Sequence, residues 1–75
     1  MSPHLPVVSG LELRRALLRL GWIERRSTGH FQMTHPDRPG IVVSIPMHRA
    51  EIGRGLLRDI LTQTGITVDQ LREVL

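Results

Sequence analysis

The chain has 75 residues, ten arginines against seven carboxylates, no lysine, no cysteine and two aromatic side chains, with a formal net charge of +3. At about 100–200 residues per domain this is one small domain, and a chain of this size buries only about 60 % of its unfolded surface. Such domains usually lean on disulfides, a metal or a partner, and the lack of cysteine removes disulfides and every thiolate zinc site.

Residues 1–10 carry neither a basic start nor a long apolar run, so no secretory signal is expected. The longest strand-like apolar stretch, Ile41-Val42-Val43-Ser44-Ile45, falls far short of the roughly 18 residues of a membrane span. The expectation is a single cytoplasmic domain over residues 1–75, off the membrane, with 1–8 a flexible start. Its charge is uneven: residues 1–49 hold seven arginines and three acids, residues 50–75 three arginines and four acids. The excess therefore falls on the first helix and the strands and points to a polyanion such as nucleic acid. Arginine makes planar, bidentate contacts to phosphate that lysine does not. An all-arginine set also fits a compositional bias of the genome, so charge suggests a partner without deciding it.

In chain order, Ser9-Gly10-Leu11-Glu12 is a capping box. Leu13, Ala16, Leu17 and Leu20 follow on one helical face, with Glu12, Arg15 and Arg19 opposite. Gly21 ends this helix. Residues 22–27 and 29–35 read as two strands joined at Thr28-Gly29. Asp37-Arg38-Pro39-Gly40 is a turn, and Ile41 to Ile45 form a third strand closed by Pro46. Gly53 and Gly55 open a second helix with Leu56, Leu57, Ile60 and Leu61 on its core face, and Gly65 terminates it. Gly53-Arg54-Gly55 could bind one anion through free amides, although such glycines more often serve the turn. Thr67-Val68-Asp69-Gln70 is a second capping box, opening a short last helix with Leu71, Val74 and Leu75. The order is α-β-β-β-α with an extra short C-terminal helix. This is an α+β fold: a three-stranded antiparallel sheet with helices on one face, in the element order of double-stranded-RNA-binding domains.

A sheet covered on one side leaves its other side facing water. With Phe31 and Met33 turned to the core, strand parity sends His30, Gln32 and Thr34 outward, a polar row suited to an RNA backbone. Trp22 and Ile23 are adjacent and both apolar. The inward face of the first strand therefore stays ambiguous, and parity does not choose between Arg25 and Arg26 as the outward cation.

The four histidines are the available acid–base groups, since imidazole takes and returns protons near neutrality. Cleaving RNA needs a base for the 2′-hydroxyl proton and an acid for the departing 5′-oxygen, and arginine can stabilise the charge on the phosphorane. No metal or other cofactor is required. His4 lies in the start of the chain. His30 and His35 differ by five positions, so an unbroken strand sends them to opposite faces, roughly 16 Å apart. That argues against an acid–base dyad or a two-histidine metal site within the strand. His48 follows the third strand and could approach either one. His35 and His48 also fit hydrogen-bonded structural groups at strand ends.

Several segments together resemble one family. They are Leu17-Leu18-Arg19-Leu20-Gly21-Trp22, Thr28-Gly29-His30, Thr34-His35-Pro36-Asp37, Ile45-Pro46-Met47-His48, Gly53-Arg54-Gly55-Leu56-Leu57-Arg58-Asp59-Ile60-Leu61 and Gly65-Ile66-Thr67. In this order and spacing, from about Ser9 to Leu71, the chain resembles the HicA toxins, also called YcfA-like proteins, of type II toxin–antitoxin pairs. The resemblance implies a double-stranded-RNA-binding-like fold over residues 9–75 and metal-independent mRNA endonuclease activity. It also implies inhibition by a HicB-type antitoxin that covers the active surface, in a complex that can be of higher order. The family's catalytic histidine, the end of a Gly-Ser-His triplet, corresponds to His30. Here Thr28-Gly29 replaces Gly-Ser, keeping a glycine and losing the serine hydroxyl, for which Thr28 is a substitute. The family's Gly-Thr-Leu is Gly55-Leu56-Leu57. The expected site is thus His30 as catalyst, with Arg25, Arg26, Thr28, Gly29, Gln32, Thr34 and His48 contacting RNA and no metal. Two other readings remain: a non-catalytic RNA-binding module using the same face, and an interaction protein docking through Leu11, Leu18 or Val74-Leu75.

Overall fold

The computed structural model of the chain describes residues 4–47 and 49–75, with the side chains of Arg26 and Ser27 outside that description. Helix α1 spans Gly10–Arg19. The Ser9 hydroxyl accepts from the Glu12 amide at 3.1 Å and the Glu12 carboxylate accepts from the Ser9 amide at 3.0 Å, so two orphan donors of the first turn are satisfied. The helix stops at Gly21, whose φ of +91° suits a residue without Cβ, and the Trp22 amide turns back to the Leu17 carbonyl. Strands β1 (Ile23–Ser27), β2 (His30–Thr34) and β3 (Val43–Pro46) follow as an antiparallel meander in the order β1-β2-β3. Helix α2 spans Arg54–Thr64 and ends at Gly65 in the left-handed conformation. Helix α3 spans Val68–Val74 behind a capping box of Thr67 and Gln70.

The helices lie on one face of the sheet, α1 and α2 against β3 and α3 against α1. Leu13, Ala16 and Leu17 of α1, Leu57 and Ile60 of α2, and Leu71 of α3 meet Met33, Val43 and Ile45 of the sheet in one core. This is the expected α+β, double-stranded-RNA-binding-like arrangement with its extra last helix.

Four details differ from the sequence reading. The start expected to be flexible through residue 8 contributes Val8, 1 % exposed, to the core. The Ile52 amide donates to the Val8 carbonyl at 2.8 Å, which anchors that segment. The third strand begins at Val43 rather than Ile41, because the Ile41 amide is taken by the Arg38 carbonyl of the preceding turn. It also runs through Pro46 instead of stopping before it, which an edge strand tolerates. Leu56, assigned to the core face of α2, is 41 % exposed: the buried set is Leu57, Ile60, Leu61 and Thr64, and Leu56 stands about 100° round the helix from Leu57. Finally, Trp22 is 5 % exposed and Ile23 56 % exposed, which removes the ambiguity of the first strand.

Candidate functional site

The strand register arranges the uncovered face of the sheet in rungs. Ser27, His30 and Pro46 share one rung; Arg25, Gln32 and Ser44 share the next; Ile23 and Thr34 share the third. Side chains across a rung point to the same face, and residues two apart along a strand return to it. His30, Arg25 and Ser44 are exposed, while Gln32 and Thr34 are half-buried. Arg25 lies diagonally from His30, a separation of about 7–8 Å in an antiparallel pair. No carboxylate occurs on these three rungs. The expected trio His30, Gln32 and Thr34 is thus brought together with Arg25. Arg26 pairs in register with Phe31, on the rungs alternating with these, and its side chain is outside the described residues. Ser44 was missed, although its place between the core residues Val43 and Ile45 signals an outward side chain by parity alone.

The turn beside His30 is two residues long. Thr28 and Gly29 are both exposed, and Gly29 has φ +79°. A Cβ at Gly29 would meet nothing within 4 Å, so backbone conformation and not crowding selects glycine. The Met47 amide donates to the Gly29 carbonyl at 3.2 Å, holding the turn against the end of β3. His48 lies outside the described residues.

Behind this face stands an arginine of the first helix, which the sequence analysis did not single out. Arg14 of α1 donates to both carboxylate oxygens of Glu24, Nε to Oε1 at 2.6 Å and Nη2 to Oε2 at 2.9 Å. Its guanidinium carbon also sits 4.9 Å from the centre of the Phe31 ring. The hydrogen bonds to Glu24, aided by its charge and opposed by partial burial, hold the guanidinium above its ordinary pKa. Glu24 and Phe31 adjoin Arg25 and His30 in sequence, so Arg14 clamps β1 and β2 from the covered side. Two more arginines are spent within the fold, Arg19 on the Val74 carbonyl and Arg72 on the His4 carbonyl. No local spacing announces Arg14–Glu24, since the pair forms across the α1–β1 turn, ten residues apart.

His35 lies at the far end of β2 and has a different task. Its Nδ1 accepts from the Asp37 amide at 3.0 Å, and its Nε2 lies 3.3 Å from the Leu20 carbonyl. These partners assign the neutral tautomer with the proton on Nε2. The ring meets Trp22 edge-on at 5.2 Å between centroids. His35 is therefore a structural tie between the end of β2 and the end of α1. His30 and His35 are not brought together, and His4 offers its carbonyl to Arg72. Gly53 serves as the N-cap of α2. Among the described residues no three His, Asp or Glu side chains gather as a metal site, and no helix is long and apolar enough to cross a membrane.

Comparison with known proteins bears on this face. No curated protein matches the chain. The family model for the HicA toxin of bacterial toxin–antitoxin matches residues 10–66, from the first residue of α1 through all three strands to the end of α2. On that match the chain belongs to the HicA toxin family, the toxin half of bacterial toxin–antitoxin systems.

Proposed function

We propose that this toxin is a metal-independent endoribonuclease of the cytoplasm that cuts mRNA on the open face of its sheet, with His30 as the acid–base group. The observation that supports this reading most is the position of His30. It is exposed at the head of β2, diagonal to the exposed Arg25, on a face whose three rungs hold no carboxylate to repel a phosphate. In the proposed reaction the His30 imidazole removes the proton of a ribose 2′-hydroxyl. The 2′-oxygen attacks the adjoining phosphorus, the bond from phosphorus to the 5′-oxygen breaks, and the departing oxygen takes a proton from water. The products are a 2′,3′-cyclic phosphate and a 5′-hydroxyl. Arg25 opposes the charge that gathers on the phosphorane, while Thr28, Gly29, Gln32 and Thr34 line the path of the strand. As a toxin of this family the protein acts with an antitoxin, and a HicB-type protein is the proposed partner.

The test is cleavage of RNA in EDTA by the wild type and by His30→Ala. The wild type should release 2′,3′-cyclic phosphate ends, and the variant should be slower by about 10²–10⁴-fold, the usual worth of a positioned acid–base group. Its melting temperature should stay close to wild type, since His30 is exposed. Equal cleavage by both proteins sinks the catalytic role. RNA binding without cleavage by the wild type leaves a non-catalytic RNA-binding module on the same face.

A further inference from the structure

At the end of β2 away from His30 lies a cavity of about 220 Å³, with Leu20, Trp22, His35, Arg38, Ile66 and Gln70 on its walls. Two polar groups there are spent within the fold. The His35 imidazole is held by the Leu20 carbonyl and the Asp37 amide, and the Thr64 hydroxyl donates to the Ile60 carbonyl at 2.9 Å. Three donors are not spent. Trp22 is 5 % exposed, yet no described residue accepts from its indole N–H, and that nitrogen is not sealed from solvent. A buried indole N–H ordinarily has an acceptor. The Gln70 carboxamide oxygen accepts from the Thr67 amide at 2.9 Å, which leaves its N–H groups without an acceptor among the described residues. The Arg38 guanidinium lies against Gly65, where no Cβ would fit, and pairs with no carboxylate among the described residues. There it meets the negative end of α2, which holds the cation in place. Asp37 also lines the cavity, but 89 % of its side chain stays in water, where its charge is screened.

A cavity with donors to spare suits a group made of acceptors. The three donors come from three segments: Trp22 after α1, Arg38 between β2 and β3, and Gln70 in α3. A tetrahedral oxyanion accepts from several directions, whereas the two oxygens of a carboxylate lie in one plane, and arginine pairs with phosphate in bidentate fashion. We propose that the Trp22–Arg38–Gln70 cavity is a phosphate-binding site, separate from the His30 face, for the phosphate of a free nucleotide or of an RNA strand. Leu20 and Ile66 give its wall an apolar part for the sugar or base attached to that phosphate. Bound there, phosphate ties the end of α1, the β2–β3 connection and α3 together and so stabilises the folded chain. The proposal does not depend on cleavage at His30.

Trp22 is the only tryptophan of the chain, so its indole N–H gives a single signal in a nitrogen–proton correlation spectrum. Titration with inorganic phosphate at constant ionic strength should move that signal, saturating with a dissociation constant on the order of 1 mM. Adenosine 5′-monophosphate should move it at least as readily, and adenosine without phosphate should not. Arg38→Gln should weaken phosphate at least about tenfold, the loss of one charge-assisted hydrogen bond. Arg15→Gln removes the same charge from an exposed position of α1 and should leave phosphate binding within about twofold. Arg38→Lys keeps a point charge at the site and should bind phosphate better than Arg38→Gln. The last probe is a 2′-O-methyl RNA strand, which has no 2′-hydroxyl to attack the phosphorus. If it moves the indole signal in wild type and not in Arg38→Gln, the phosphate comes from a strand. A signal moved by phosphate and the mononucleotide alone assigns the site to a free nucleotide. A signal that does not saturate below about 20 mM phosphate, or that moves equally in Arg38→Gln, overturns the site. Because His30 is not on the cavity walls, His30→Ala should keep the phosphate response, so failure of the nuclease reading and failure of this site are told apart.

Discussion

Arg14 and Gly21 show how much single residues hold in so small a domain. Arg14 spends its guanidinium on Glu24 and on the Phe31 ring, directly behind the strand positions next to Arg25 and His30. Both partners are partly exposed, so the clamp is worth about 1 kcal/mol. Arg14→Met should lower the melting temperature by about 4–8 °C, the shift that one kcal/mol makes in a domain of this size. It should also speed amide exchange in residues 24–31, whereas an unchanged melting temperature would show that the pair contributes nothing. The guanidinium, held above its ordinary pKa by Glu24, stays protonated throughout the working range, so its own titration removes this stabilisation only at pH beyond that range. Gly21 carries φ +91°, and a Cβ there would stand 3.1 Å from Nε2 of His35. Gly21→Ala therefore meets both a strained backbone and a ring fixed by the Leu20 carbonyl and the Asp37 amide. A loss of about 1–3 kcal/mol is expected in urea unfolding. A loss below about 0.5 kcal/mol would mean that the α1–β2 tie yields easily.

At the scale of elements, the β1–β2 hairpin is the working part, and its register decides what it presents. Ser27 opposite His30 sets the alternation that puts Arg25 beside His30 and leaves Arg26 on the alternate rungs. Arg25→Gln should weaken RNA binding across all sequences and lower the slope of log affinity against log salt by about 1, the mark of one lost phosphate contact. An equal slope would assign the contact to another exposed cation such as Arg15. Much of this element level was legible locally. Ser9 with Glu12 and Thr67 with Gln70 announce two helix starts, because a capping box is complete within four residues. Met33 and Phe31 announce the parity of β2. The orientation of β1 was not legible: Trp22 and Ile23 are equally apolar, and only the assembled core, at whose edge Trp22 meets the His35 ring, takes Trp22 inside. The true beginning of β3 was hidden too, since Ile41 and Val42 look like strand residues until the turn takes the Ile41 amide.

For the whole molecule, one layer of helices over three strands leaves one face of the sheet uncovered, and that face is where RNA is cut in the proposed function. A domain of 75 residues without disulfides gains stability from any partner that binds only the folded chain. At an antitoxin concentration 100 times its dissociation constant the gain is about 2.7 kcal/mol, which should raise the melting temperature by about 10–20 °C. A rise below about 5 °C at that concentration would show that the partner does not select the folded chain. By itself, the sequence determined the element order, the two capping boxes, the one-sided core and His30 as the outward histidine, because each rests on spacing within a few residues. Only the tertiary structure decided that Arg25 joins His30, that Arg14 is spent behind the face, that His35 is a tie, and that Ile23 stands exposed opposite Thr34. Those facts depend on which strands lie side by side and in what register, and residues distant in the chain become neighbours only when the sheet forms.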